Sequence, residues 1–363
     1  MSIAPAAAQD KRGKAPEFVL HEIGETGNYL GQTSLADIDR DGDLDFITGS
    51  RGGEIQWWEY RGADDWVRHL IGDDSPTDVG GVALDVDGDG WVDQLSGAAW
   101  FRNTGKPREE RFVRHDPGTI PSHDNRVADI DGDGRQDVVA MQDSRGVVWY
   151  RIPEDPSQKW SETRIGDARH SGLALGDVDG DGDIDVVAAT WWYENTDGKG
   201  ANWRKHEDIP FEGKRYNQYG LSTQNRLADL DGDGDLDLAI TDGETDGAQA
   251  AWIENRGTAE SRWRRHDLAS GRGALHSLQV ADFNGDSHPD IFTCEMGIGG
   301  EGRWYLYLNT DGKGAFREHV ILQGVHGHES RAGDIDGDGD VDICSKPWNG
   351  GRHVYLENRL VTQ

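Results

Sequence analysis

Apolar residues in this chain come in short runs set apart by clusters of Asp and Gly. Ile184, Val186 and Val187 form one such run, and Leu238, Ala239 and Ile240 another. Short runs bounded by turn residues predict strands. No run is long enough to cross a membrane as a helix. The predicted strands recur in a fixed order. The first ends in small or apolar residues, as Arg226-Leu-Ala does before Asp229. The second starts on an Asp, as at Asp237 to Thr241. The third is aromatic and usually ends in a Glu-Asn turn, as at Trp192 to Asn195, Trp252 to Asn255 and Tyr355 to Asn358. The fourth carries an aromatic with His three residues on: Trp66/His69, Phe112/His115, Trp203/His206, Trp263/His266 and Phe316/His319.

Between the first and second strands of every repeat lies Asp-x-Asp-x-Asp-Gly-x-x-Asp. The copies start at Asp37, Asp85, Asp129, Asp177, Asp229, Asp282 and Asp334, at intervals of 48, 44, 48, 52, 53 and 52 residues. A four-strand repeat of this length predicts one blade of a β-propeller, so the chain reads as all-β with seven blades. The last repeat lacks a fourth strand. Phe18-Val-Leu-His21 carries the missing pattern, so the N-terminal strand is expected to complete the last blade and close the ring. Closure removes free sheet edges. Residues 17–363 then form one domain, and residues 1–16 read as the remnant of a signal peptide or a disordered tail.

The motif spacing suits calcium, which takes six to eight oxygen ligands around a tight loop. The expected ligands are Asp37, Asp39, Asp41 and Asp45; Asp85, Asp87, Asp89 and Asp93; Asp129, Asp131, Asp133 and Asp137; Asp177, Asp179, Asp181 and Asp185. In the last three copies they are Asp229, Asp231, Asp233 and Asp237; Asp282, Asn284, Asp286 and Asp290; Asp334, Asp336, Asp338 and Asp342. The EF-hand's closing Glu is missing, so these loops are expected between strands. A plain hairpin turn would explain one Asp-Gly copy, but not seven with the alternating carboxylates kept. The sixth copy is degenerate, with Asn284 at the third position and Ser287 in place of Gly.

The seven motifs hold 31 Asp, which accounts for much of the net charge of −31. Seven calcium ions would still leave the chain acidic. With no basic stripe, a nucleic-acid partner is not expected. Calcium loops suit a secreted or periplasmic protein. Cys294 and Cys344 fall on equivalent strands of the last two repeats, and two cysteines are no disulfide framework.

On these motifs the chain resembles the FG-GAP/VCBS propeller family, seen also in integrin alpha-subunit heads, over residues 17–359. The resemblance implies calcium loops on the bottom face and binding or catalysis on the top. The chain also looks similar to the propeller portion of aldos-2-ulose dehydratases, which carry further domains besides.

Function must then lie in what does not repeat. Six of the thirteen histidines belong to the fourth-strand pattern and read as scaffold. Among the others, His123, His276 and His328 each precede the first Asp of a motif by six residues, and His170 by seven. Six residues of strand span about 20 Å, most of a blade's height. These histidines are therefore expected at the top mouth of the channel. Arg126, Arg226 and Arg331 share a register three residues before the motif. The loops between second and third strands should reach the same face with Asp143, Trp191, Trp192, Asp242, Glu295, Lys346 and Trp348. Residues 211–219, with Tyr216 and Tyr219, could rim it. Alternatively, these polar groups only hydrate and plug the channel.

The leading expectation is a secreted carbohydrate-active lyase or dehydratase working by proton abstraction and β-elimination on a keto-sugar or uronate glycan. His123 or His276 would be the base and His328 the acid or second base, with the arginines on the acidic or keto group. A divalent metal held by the channel histidines with Glu295 or Asp242 is a variant. The alternative is a non-catalytic propeller that binds a glycan or a protein. No pair of acids outside the loops is spaced to single out a hydrolase.

Overall fold

The fold is described from a computed structural model, over residues 14–26, 31–76, 79–217, 220–257, 262–348 and 350–360. Seven four-stranded antiparallel sheets follow one another along the chain. The seventh is built from both ends. Phe18–Glu25 pairs with Arg352–Asn358, with Phe18 opposite Asn358 and His21 opposite Tyr355. The last and first blades then pack together through Tyr355 and Cys344 on one side and Phe46, Trp58 and Tyr60 on the other. This is the ring closure that the displaced fourth-strand pattern implies.

The hydrophobic core lies between blades. Met141 and Trp149 of the third blade meet Leu173 and Tyr193 of the fourth in one buried cluster. Second and third strands are buried on both faces, which explains their unbroken apolar and aromatic character. The innermost strands, such as Asp124–Ala128 and Glu329–Gly333, line the channel. Cys294 and Cys344 are buried free thiols.

The Glu-Asn turn is more than a turn. In the fourth blade the Asn195 backbone N–H donates to Asp185, the last residue of its own Asp loop, at 2.9 Å. Its side-chain Nδ2 donates to the Ile130 carbonyl in the loop of the third blade at 3.1 Å. Asn103, Asn255, Asn309 and Asn358 repeat this link to Ile38, Val178, Leu230 and Phe283. Asn side chains thus staple neighbouring Asp loops at five of the seven blade junctions among the described residues.

The fourth-strand histidines are used within their blades. His69, His206 and His266 each stack on a third-strand Trp and sit 2.7 Å from a Glu. They belong to the scaffold, as their repetition suggests.

Candidate functional site

His123, His276 and His328 each stand immediately before an innermost strand, and His170 lies in the turn before another. The strand register puts them at one height, and the ring brings them together. Ring centroids are 4.1 Å apart for His170 and His123, 6.2 Å for His123 and His276, and 4.0 Å for His276 and His328. All four side chains are buried. Tyr216, on a small hairpin of Arg215–Tyr216 with Gly220–Leu221, stacks over His170 at 5.5 Å.

Two carboxylates set the charge pattern. His170 Nδ1 lies 3.1 Å from Asp143, and its Nε2 lies 2.6 Å from Glu244 Oε2. Burial opposes the His170 cation, but the bonds to Asp143 and Glu244 outweigh it and raise the imidazole to about 9. Burial and the neighbouring His170 cation push His123 down to about 4. Burial, with His276 and Lys346 nearby, carries His328 well below its ordinary value. The row therefore holds a protonated imidazole beside a neutral one. Glu244 was not among the residues read from the sequence. Its signal was its place two residues past Asp242, in a loop already expected at this face.

Arg126, Arg226 and Arg331 converge in the channel next to this row. Arg126 pairs with Asp124 at 2.6 Å, and Arg331 faces Glu329 at 3.4 Å. Arg226 donates to the Asn225 carbonyl at 2.7 Å and makes no ion pair within 4 Å among the described residues. Burial and the adjacent Arg126 guanidinium push Arg226 well below its usual value. Arginine does not deprotonate in proteins, so the direction marks an under-compensated cation. The space bordered by these arginines, His123 and His276 is about 10 Å³. That is room for a water, an ion or one oxygen of a ligand, and too little for a sugar ring.

The other residues expected at the mouth divide. Lys346 is buried opposite Glu329 in strand register, and burial lowers its ammonium to about 8. Asp242 accepts the Lys214 and Gln249 backbone N–H groups and so ties down the hairpin segment. Trp348 is half-buried just beyond the Lys346 strand. Trp191 is half-buried with the Lys205 ammonium 3.3 Å above its ring. Trp192 is a correction: it is buried in the core between blades and stacks on His206, because it faces the neighbouring sheet. Glu295 is another. Its oxygens accept the N–H groups of Gly273, Glu301 and Arg303 and the Tyr305 hydroxyl, which leaves it a loop clamp. Tyr219 lies outside the described residues.

The Asp loops curl around their own backbone. Asp37 Oδ2 accepts the Gly42 N–H at 3.2 Å, and Asp177 Oδ2 the Gly182 N–H at 2.9 Å. Carboxylate oxygens of Asp37, Asp39 and Asp41, of Asp85, Asp87 and Asp93, and of Asp129, Asp131 and Asp137 come within 4.8 Å of one another. Asp334 Oδ1 is buried with no hydrogen-bond partner. This donor set fits a hard, oxygen-loving cation. In the first three loops a guanidinium also reaches in: Arg108 to Asp39 and Asp41, Arg102 to Asp87 and Asp89, Arg151 to Asp131 and Asp133. The degenerate sixth loop keeps the turn, with Ser287 itself at φ 69° and its N–H on Asp282 at 2.7 Å.

Comparison with known proteins agrees with this architecture. A family model described as FG-GAP-like repeat matches residues 129–188 and 229–293. The chain is a seven-bladed propeller that is FG-GAP-like in part. No curated protein matches it. Among solved structures it is similar to BBS1N, crystallised in complex with ARL6DN, at TM-score 0.57 and 12% identity over 96% of this chain and 99% of that one. It is similar to the BP39L lectin from Burkholderia pseudomallei, at TM-score 0.59 and 14% identity over 92% and 97%. An ancestral GH74 enzyme gives TM-score 0.60 and 11% identity over 92% of this chain and 48% of its own. At these identities the likeness is one of fold.

Proposed function

We propose that this propeller is a binding module for an acidic glycan, which it takes at the top mouth of its channel. The observation that carries the reading is Arg226, which makes no ion pair within 4 Å among the described residues and whose burial and flanking Arg126 and Arg331 outweigh the more distant Asp124 and Glu329. A uronate carboxylate entering the mouth would relieve that charge with charge-assisted hydrogen bonds. The recess suits one small anionic group rather than a broad protein surface. Calcium in the Asp loops would hold the scaffold, and such loops fit a secreted or periplasmic setting. Isothermal titration with uronate oligosaccharides and their neutral counterparts tests the reading. Uronates are expected to bind the wild type, and Arg226→Gln to weaken them at least about tenfold, the value of one strong charged hydrogen bond. Equal binding of neutral and acidic sugars, or full affinity in Arg226→Gln, would overturn it.

A second reading, a carbon–oxygen lyase, is favoured by the adjacent His123 and His170. Neighbouring groups with pKa values driven apart suit a base and an acid. Neutral His123 or His328 would take the proton beside the sugar carboxylate or ketone. Protonated His170 would return one to the leaving oxygen, and the arginines would stabilise the enolate. Ultraviolet absorbance from an unsaturated product separates the readings, since binding alone yields none.

A further inference from the structure

We propose that the channel holds one resident chloride ion, bound among Arg126, Arg226 and Arg331. These arginines stand three residues before the first Asp of the third, fifth and seventh motifs. Ser34, Val82, Ala174 and Gln279 take that position in the other four blades. All seven lie on innermost strands, so they form one level of the channel. Side chains alternate along a strand, and the next residues on the same face lie two positions earlier. The charged ones there are Asp124 and Glu329. Three guanidiniums thus meet two carboxylates around the recess, which leaves one positive charge in excess. His123 also borders the recess, but burial and His170 lower it to about 4, so it adds no charge at neutral pH.

The excess falls on Arg226. Asp124 is 2.6 Å from Arg126, and Glu329 is 3.4 Å from Arg331. Arg226 Nη1 donates to the Asn225 carbonyl, and its other N–H groups meet no acceptor among the described residues. Arg126 likewise donates through Nη1 alone, to Asp124 and the Asn125 carbonyl. Burial pushes both Arg226 and Arg331 below their usual values, against the pull of the two carboxylates. A buried charge without a counter-charge is costly.

Size narrows the choice of counter-ion. A space of about 10 Å³ takes one sphere near the size of a water. Water would fill it without balancing the charge. Sulfate and phosphate, with five heavy atoms, are too large. Chloride is a single atom of the right sign and accepts hydrogen bonds from any direction. It would sit where the glycan reading puts a uronate oxygen, and so compete with it. The proposal itself rests on charge and size and does not depend on that reading.

The test uses the full chain in excess calcium, at a constant ionic strength of about 0.15 M. Crystals grown with bromide in place of chloride should show one anomalous peak among the three arginines. In solution, replacing bulky methanesulfonate by chloride should raise the melting temperature saturably, with half the rise reached well below that concentration. Arg226→Gln, with folding checked by circular dichroism, should lose both the peak and the rise. Arg145→Gln, which breaks an exposed pair with Glu162, should keep them. A recess without bromide, or the same rise in folded Arg226→Gln, overturns the proposal. Uronate binding without bromide would then leave the glycan reading standing alone. Bromide without uronate binding supports the chloride site and overturns the glycan reading instead.

Discussion

His170 Nε2 in the fourth blade lies 2.6 Å from Glu244 Oε2 in the fifth, with Asp143 of the third on the opposite nitrogen. Three blades thus meet in one ion triplet at the top of the channel, with His170 and Glu244 buried and Asp143 half-buried. The pH dependence follows from its direction. The folded pKa of His170 is raised to about 9 from 6.5. Its contribution to stability is fully present below pH 6.5 and is lost as pH rises through 9. Glu244, lowered to about 2, and Asp143, also lowered, stay ionised throughout that window. Thermal unfolding from pH 6 to 8 should show the melting temperature falling, below the range in which loss of the Lys346 proton, its ammonium lowered to about 8, works the other way. His170→Asn suits the residue's φ of 55° and should flatten that fall. An equal slope in both proteins would contradict the assignment.

Removal of calcium should loosen the whole ring. An ion that binds only the folded state stabilises it by mass action, and the Asp loops are linked blade to blade through Asn side chains. Excess chelator is expected to lower the melting temperature markedly and reversibly, as read by scanning calorimetry. An unchanged melting temperature would mean that the loops do not hold structural calcium.

The Asn staple makes its own prediction. Asn309 Nδ2 donates to the Leu230 carbonyl at 2.7 Å, and both residues are fully buried. Asn309→Ala leaves that carbonyl unpaired and should cost about 1–3 kcal/mol. Urea unfolding in excess calcium measures it. Exposed Asn202, which pairs with Asp197 within its own turn, serves as a control whose removal should cost far less.

Much of this was legible from local pattern. The Asp motif recurs because each copy closes the same backbone loop, so seven copies implied seven blades. The displaced Phe18–His21 pattern named the closing strand, since a fourth strand has one place to go. The count back to His123, His276 and His328 worked because strand rise is nearly constant. Trp192 was misread because an aromatic on a third strand can point to the channel mouth or into a neighbouring blade, and spacing along one strand does not say which. Glu295 was misread because its partners come from elsewhere in the fold, Gly273 from a bend and Tyr305 from the next strand.

The sequence alone determined the repeat, the closure, the Asp loops and the height of the histidine row, because these depend on contacts within a blade or on counting residues along it. Only the tertiary structure decided which side chains meet across the channel. Glu244 joins His170 and His276, and Arg226 makes no ion pair within 4 Å among the described residues, because the ring turns the tops of different blades toward one channel. No periodicity along one strand encodes the distance between two others.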